Sequence, residues 1–338
     1  VPTLSEGQPQ GDCPYKIRYD HTLPEEKPNG YNDMNPRAKD LLSRAVQRLV
    51  DVRDNTPQLD AEVLLMHRLG LTRAQLYARL NDEIDDRLAD EYYLLVERRA
   101  QGEPVAYITN HREFMDMDFY VDKRVLVPRP ETELLVEFTV KKILDKGWSG
   151  DSFSVADVGT GSGIIAVYLA LRFPMMRVYA TDISPEALEV AEINARRYEV
   201  LDRLPLLQGN LLEPVPESPR IIISNPPYTV LSQVEPNVVR YEPNVALDGG
   251  SKGLAIYREL LNQARARLAR PGLIALEIGS EQATDVTNLS RHFFPGCAVE
   301  LYRDYAGLDR VIILDIAEVS SSGGSDNSSP DLEEYLNF

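Results

Sequence analysis

Hydrophobic positions along this chain change their period twice. From residue 36 to 101 they recur at helical spacing. Leu41, Leu42, Ala45, Val46, Leu49 and Val50 form the first stripe, entered through Asn35 as N-cap with Pro36 at the first helical position. A second helix is expected from Pro57 to a stop at Gly70, a short third one capped by Thr72, and a fourth that holds Leu88 to Val96. These stripes predict a small helical domain over 36–101. Gly102-Glu103-Pro104 breaks it, and alternation across 107–127 predicts a β-hairpin connector over 102–129. A helix then opens at Pro130, with Glu131 and Glu133 suiting the dipole of its first turn and Leu134, Leu135 and Phe138 as its stripe.

The second change comes at residue 153, where short apolar runs begin to alternate with helical stretches. Strands are predicted at 153–158, 177–182, 205–208, 220–224, 272–278, 298–302 and 310–315, with helices at about 163–172, 185–198, 253–269 and 280–293. Such alternation is the pattern of a doubly wound α/β sheet, here spanning 130–317. The last two strands lie too close in sequence for a helical crossover, so they are expected to be antiparallel neighbours. Residues 1–35, rich in Pro, Gly and charge, are expected to form a poorly ordered extension, and 318–338 a flexible acidic tail. The start at Val1 rather than Met suggests processing or trimming.

Composition narrows the function classes. No apolar run approaches the ~18 residues needed to span a bilayer, and no signal peptide opens the chain. A cytoplasmic protein with no membrane partner is expected, with mitochondrion or plastid as the alternative. Cys13 and Cys297 are the only cysteines and stand far apart, and the four histidines are scattered, so neither a disulfide framework nor a metal site is suggested. The formal net charge of -17 argues against nucleic acid as a direct substrate, because phosphate binding ordinarily needs a basic face.

Two strand ends carry candidate chemistry. The first predicted strand runs into Asp157-Val158-Gly159-Thr160-Gly161-Ser162-Gly163 and then a helix, so a ligand could lie against bare backbone at a helix N-terminus. Ile164 stands where a dinucleotide fingerprint places its third glycine, which argues against NAD. Asp182, followed by Ile183, ends the second strand where a carboxylate can take both ribose hydroxyls, with simple helix capping before Ser184-Pro185 as the alternative. A nucleoside without pyrophosphate fits this pair, and S-adenosylmethionine is one. Asp157 reads either as a brace for the loop or as a contact for the methionine amine. Asn210 and Leu211 follow the third strand, where the adenine edge would lie. The buried run Ile221-Ile222-Ile223-Ser224 stops at Asn225-Pro226-Pro227-Tyr228, whose prolines hold a side-chain amide and spare carbonyls in one shape at the ligand-binding end of a sheet.

Together the glycine loop, Asp182 and Asn225-Pro226-Pro227-Tyr228 resemble an S-adenosylmethionine-dependent methyltransferase acting on a planar nitrogen. The expected fold is then the class I methyltransferase, Rossmann-like, with six parallel strands and one antiparallel insertion. Val127-Pro128-Arg129-Pro130-Glu131-Thr132-Glu133 resembles the HemK/PrmC family of release-factor glutamine methyltransferases. Gly102-Glu103-Pro104, Tyr107-Ile108, Arg112-Glu113-Phe114, Glu242-Pro243, Ala246-Leu247, Gly249-Gly250, Gly253-Leu254 and Glu277-Ile278-Gly279 extend the likeness over 36–317. Asn110 departs from it, since the family usually has glycine there. The resemblance implies methyl transfer to the glutamine of the Gly-Gly-Gln loop in class 1 peptide-chain release factors, with the helical domain receiving the partner; a monomer is expected. Asn225 and Pro226 would accept the two N–H groups of the substrate amide, Tyr228 would form a wall against it, and Pro227 would keep the loop rigid. Arg129 would neutralise Glu131 and Glu133 or approach the substrate loop, and Glu131 would line the wall, unless these residues only open a helix. A nucleic-acid base methyltransferase using the same tetrapeptide, and a non-catalytic binding factor, are the alternatives.

Overall fold

The computed structural model describes residues 35–52 and 56–318. The expectations for the extension over 1–34 and the tail over 319–338 lie outside them. Four helices come first: α1 (Ala38–Leu49), α2 (Pro57–Leu69), α3 (Arg73–Ala78) and α4 (Asp86–Ala100). They share a core of Leu41, Leu49, Leu64, Leu65, Leu76 and Tyr92. Gly70 closes α2 in the left-handed conformation, and Thr72 with Gln75 forms a capping box on α3. Helix α1 starts two residues later than its Asn-Pro signal suggests. The Pro36 carbonyl instead accepts from Ile84 N–H, and Arg37 bridges Glu83, so the chain is extended at that point.

The connector is partly helical. Tyr107 and Ile108, read as strand residues from their alternation, lie on a short helix α5 (Val105–Thr109), where both are buried. The hairpin is confined to β1 (Arg112–Phe114) and β2 (Met117–Phe119), joined through Met115 and Asp116, both at positive φ as a two-residue hairpin turn with matched twist requires. Asn110 ends α5 at φ 52, and its side-chain amide donates to Val121 O at 3.1 Å. Asparagine tolerates this left-handed conformation, which explains why it can stand where glycine is usual.

The remaining elements are α6 (Glu131–Asp145), β3 (Ser154–Val158), α7 (Ile164–Arg172), β4 (Arg177–Asp182), α8 (Pro185–Arg197), β5 (Leu206–Gln208), β6 (Ile221–Ser224), α9 (Pro236–Tyr241), α10 (Ala255–Arg267), β7 (Gly272–Glu277), α11 (Ala283–Phe293), β8 (Ala298–Arg303) and β9 (Asp309–Ile316). The sheet order is β5-β4-β3-β6-β7-β9-β8, with β9 antiparallel to both neighbours and every other pairing parallel. This is the seven-stranded, Rossmann-like class I methyltransferase sheet. Strands β3, β6 and β7 are buried along their whole length, and two apolar cores cover the sheet's faces. The order reverses between β3 and β6, so their carboxyl ends flank the crevice where such sheets bind ligands.

Candidate active site

Asn225 leaves the sheet at the end of β6. Ser224 fastens that end, since its hydroxyl donates to Val158 O of β3 at 2.6 Å. The next two prolines fix the backbone, and glycines make room for it: a Cβ on Gly253 would meet Tyr228 O at 2.2 Å, and one on Gly249 would meet Pro227 O at 2.9 Å. Thr229 and Gly249 then bond through Gly249 N–H to Thr229 O, while the Gln282 amide donates to both Tyr228 O and Gly253 O. The tetrapeptide is thus clamped from behind by the 246–254 loop and by the turn that precedes α11.

On the β3 side, Gly159, Gly161 and Gly163 all have positive φ, but for different reasons. A Cβ on Gly159 or Gly161 would meet nothing within 4 Å, so their bare backbone faces open space. At Gly163 it would press on Ala191 Cβ at 3.0 Å, so this glycine lets α7 pack against α8. Asp157 is fully buried, and its Oδ2 accepts from the Thr160 hydroxyl at 2.6 Å and from Ala166 N–H at 3.1 Å. Its Oδ1 is buried with no hydrogen-bond partner. Burial pushes its carboxyl up to about 7.

Asp182 ends β4 and accepts from Gly161 N–H at 2.9 Å and Ser184 N–H at 3.0 Å. Burial raises its pKa against those hydrogen bonds. Ser184, not Asp182, caps α8, so helix capping does not account for this carboxylate. Ile183 beside it is 56% exposed, a large apolar side chain at the rim of the crevice. Gly209 N–H donates to Asp182 O and so carries Asn210 and Leu211 to the same edge, where Leu211 adopts φ 53. The donor set fits S-adenosylmethionine: two open glycines, a strand-end carboxylate, an exposed apolar side chain and an unpaired buried carboxylate oxygen. Among the described residues, no group of three or more His, Cys, Asp or Glu side chains could hold a metal.

The acceptor side holds an arrangement that motif reading missed. Asn225 Nδ2 donates to Thr132 Oγ1 at 3.0 Å, and Thr132 in turn donates to Glu277 Oε2 at 2.7 Å. The other oxygen of Glu277 accepts from the Tyr228 hydroxyl at 3.0 Å. Glu277 ends β7 and is fully buried; burial pushes its carboxyl up to about 7. Burial and the same carboxylate push the Tyr228 phenol far up, so it stays neutral. Among the described residues nothing donates to Asn225 Oδ1 or to the Pro226 carbonyl. The strand-end position of Glu277 and a threonine between two glutamates in a first helical turn were the sequence signals available for this network.

Arg129 does not neutralise Glu131 or Glu133. Its guanidinium pairs with Glu242 at 2.6 Å, and Glu242 also accepts from Val127 N–H at 3.0 Å. Glu133 anchors the hairpin turn by accepting from Met115 N–H at 2.9 Å, and Glu131 lies 3.9 Å from Arg310. Asn194, buried in mid-helix on α8, was also missed. It bonds to both N–H and carbonyl of Tyr120 and donates to Ser162 O at 2.8 Å, joining the connector to the glycine loop.

Residues 40–109 match the model of the PrmC N-terminal domain, and residues 131–242 that of the methyltransferase small domain. The release factor glutamine methyltransferase of Moorella thermoacetica is 44% identical over 284 residues, which cover 81% of this chain and 97% of that protein. The protein of the same name from Clostridium acetobutylicum is 36% identical, with 82% and 98% covered. The crystal structure of a release factor-specific protein-(glutamine-N5) methyltransferase from Alicyclobacillus acidocaldarius is 30% identical, covering 59% of this chain and 100% of that one, with a TM-score of 0.37. Relatives of that name at 44% and 36% identity, each matched over nearly its whole length, make the chain a member of the release factor glutamine methyltransferase family.

Proposed function

We propose that this chain methylates the side-chain nitrogen of the Gly-Gly-Gln glutamine in class 1 release factors, with Asn225 and Pro226 orienting the substrate amide. The observation that carries this reading is the pair of unengaged acceptors, Asn225 Oδ1 and the Pro226 carbonyl, on a loop held from behind. Gly159, Gly161, Asp182, Ile183, Asn210 and Leu211 would hold S-adenosylmethionine, which when bound supplies an electrophilic methyl group on a positively charged sulfur. Asp157 braces the loop through one oxygen and leaves the other for the amine end of that ligand.

An amide nitrogen is a poor nucleophile, because its lone pair is delocalised into the carbonyl. Two fixed acceptors counter this. By taking one N–H each, Asn225 Oδ1 and the Pro226 carbonyl aim the nitrogen lone pair along one line and favour its pyramidalisation as the new N–C bond forms. The extra proton on the methylated nitrogen is strongly acidic and leaves to water, so no strong base is required. Tyr228, pinned through its hydroxyl, walls the flat amide. Alignment of this kind is worth up to ~7–11 kcal/mol in favourable systems.

Arg129 acts as a brace: its ion pair with Glu242 ties the segment before α6 to the loop after Tyr228. The helical unit and hairpin would form the other side of the cleft and receive the release factor. A monomer in the cytoplasm satisfies this reading. The test is Asn225→Ala, assayed for transfer of radiolabelled methyl to a release factor. A loss of kcat of about 100-fold or more is expected, with the melting temperature and S-adenosylmethionine affinity retained. Wild-type turnover by this variant would refute the assignment.

A further inference from the structure

The amide of Asn225 can face the crevice with either its oxygen or its NH2 group, and only the oxygen can accept a substrate N–H. We propose that Glu277 and Thr132 are positioning residues that set this choice, the carboxylate taking the Thr132 hydroxyl proton so that Thr132 offers Asn225 only a lone pair. Donor and acceptor inventories decide the orientation. Ionised Glu277 can only accept, so both hydroxyls in contact with it, Thr132 and Tyr228, must donate to it. Thr132 then has no proton left for Asn225, and the amide must turn its NH2 towards Thr132. Its oxygen is thereby left facing the substrate.

One buried carboxylate thus fixes both the acceptor of the site and the ring that walls it. Thr132 is 2% exposed and Glu277 fully buried, so water does not compete for these protons. The protonated acid breaks the logic. A proton on Oε2 would be donated to Thr132, whose own proton would then be free to go to Asn225, turning the amide so that its NH2 faces the substrate N–H groups.

The groups facing Glu277 tune this switch. Tyr228 and Thr132 hydrogen-bond its oxygens, Glu131 on α6 opposes its ionisation, and Arg310 on β9 favours it. Tyr257 on α10 donates to the Glu277 backbone carbonyl at 2.8 Å. Burial outweighs the favourable contacts and lifts the carboxyl to about 7, so the switch falls within the working pH range.

This inference rests on the methyl-transfer reading above, and the experiment separates the two. Steady-state kinetics with a release factor at saturating S-adenosylmethionine would compare the wild type with Thr132→Val, Thr132→Ser and Glu277→Gln, alongside thermal melting and S-adenosylmethionine affinity. Wild-type kcat should fall on the acid side of about pH 7. Thr132→Val should lose about tenfold or more in kcat, with KM for the release factor and cofactor affinity held within about twofold. Thr132→Ser, which keeps the hydroxyl, should restore most of it. Glu277→Gln should lower kcat and shrink the acid limb, because its amide does not titrate while Asp157 beside the glycine loop still does. Equal losses in the Val and Ser variants, wild-type kcat in Thr132→Val, or an acid limb unchanged in Glu277→Gln would each overturn the inference. A wild-type enzyme that leaves the release factor unlabelled would instead overturn the methyl-transfer reading.

Discussion

Asp157 offers a sharp test of how the glycine loop is held, through Asp157→Asn. The carboxyl is wholly buried, one oxygen accepts from Thr160 and Ala166, and the other has no partner. Burial lifts its pKa from 3.8 to about 7, so the folded state holds the proton more tightly than the unfolded chain. The sign follows from that difference. Below about pH 4 both states are protonated, and the contribution to stability is fully present; as pH rises through the folded value near 7 it is lost. Between about pH 5.5 and 8, one group with these two values removes about 2 kcal/mol of stability. Asparagine keeps an acceptor for Thr160 and Ala166 but cannot titrate. Urea unfolding at the two pH values should show the wild type losing about 2 kcal/mol more than Asp157→Asn over this interval. Parallel pH dependence in the two proteins would show that Asp157 does not titrate with folding over this interval.

Other perturbations probe the clamp around the tetrapeptide. Arg129→Ala strands the buried Glu242 carboxylate and should cost about 2 kcal/mol of stability, between the exposed and buried limits for ion pairs; Glu242→Gln in the same background should recover part of it in thermal melting. Gly253→Ala drives a methyl group to 2.2 Å from Tyr228 O at a residue with φ 68. It should lower both melting temperature and kcat, whereas Gly147→Ala, also at positive φ but with nothing within 4 Å, should lower only the former; equal kcat in the two variants would argue against the clamp.

Much of the sheet was legible because each central strand is a short apolar run, and each helix between strands carries a cap or a clean stripe. The prediction at 220–224 differs from β6 by one residue, and the antiparallel pairing of β8 and β9 follows from the short link between them. The connector was less legible. Alternation over 107–127 could not reveal that Tyr107 and Ile108 sit on a helical turn, because a helix of five residues shows too little of its period. Asn110 departs from the usual glycine, and its left-handed backbone, which asparagine tolerates, shows why the exchange is possible.

The site divides in the same way. Glycines and strand-end residues announce themselves by spacing, so the places of Gly159, Gly161, Asp182 and Asn225 at the carboxyl end of the sheet follow from the sequence. Thr132 and Glu277 meet across 145 positions of sequence, and Arg129 meets Glu242 across 113. No local pattern encodes such pairings. The acidic first turn of α6 is already sufficient as a dipole-compatible helix start, which masks the hydroxyl between its two glutamates. The acids beside it hold the hairpin turn and face Arg310, while the threonine reaches the strand end.

We propose that the loop at Asn225 presents a planar glutamine amide to a methyl donor. The most direct test is incubation of the wild-type chain with radiolabelled S-adenosylmethionine and, separately, a release factor, its Gly-Gly-Ala variant and nucleic acid. Label on the Gly-Gly-Gln protein alone is the predicted result; label on nucleic acid, on the Gly-Gly-Ala variant, or on none of the three would contradict it.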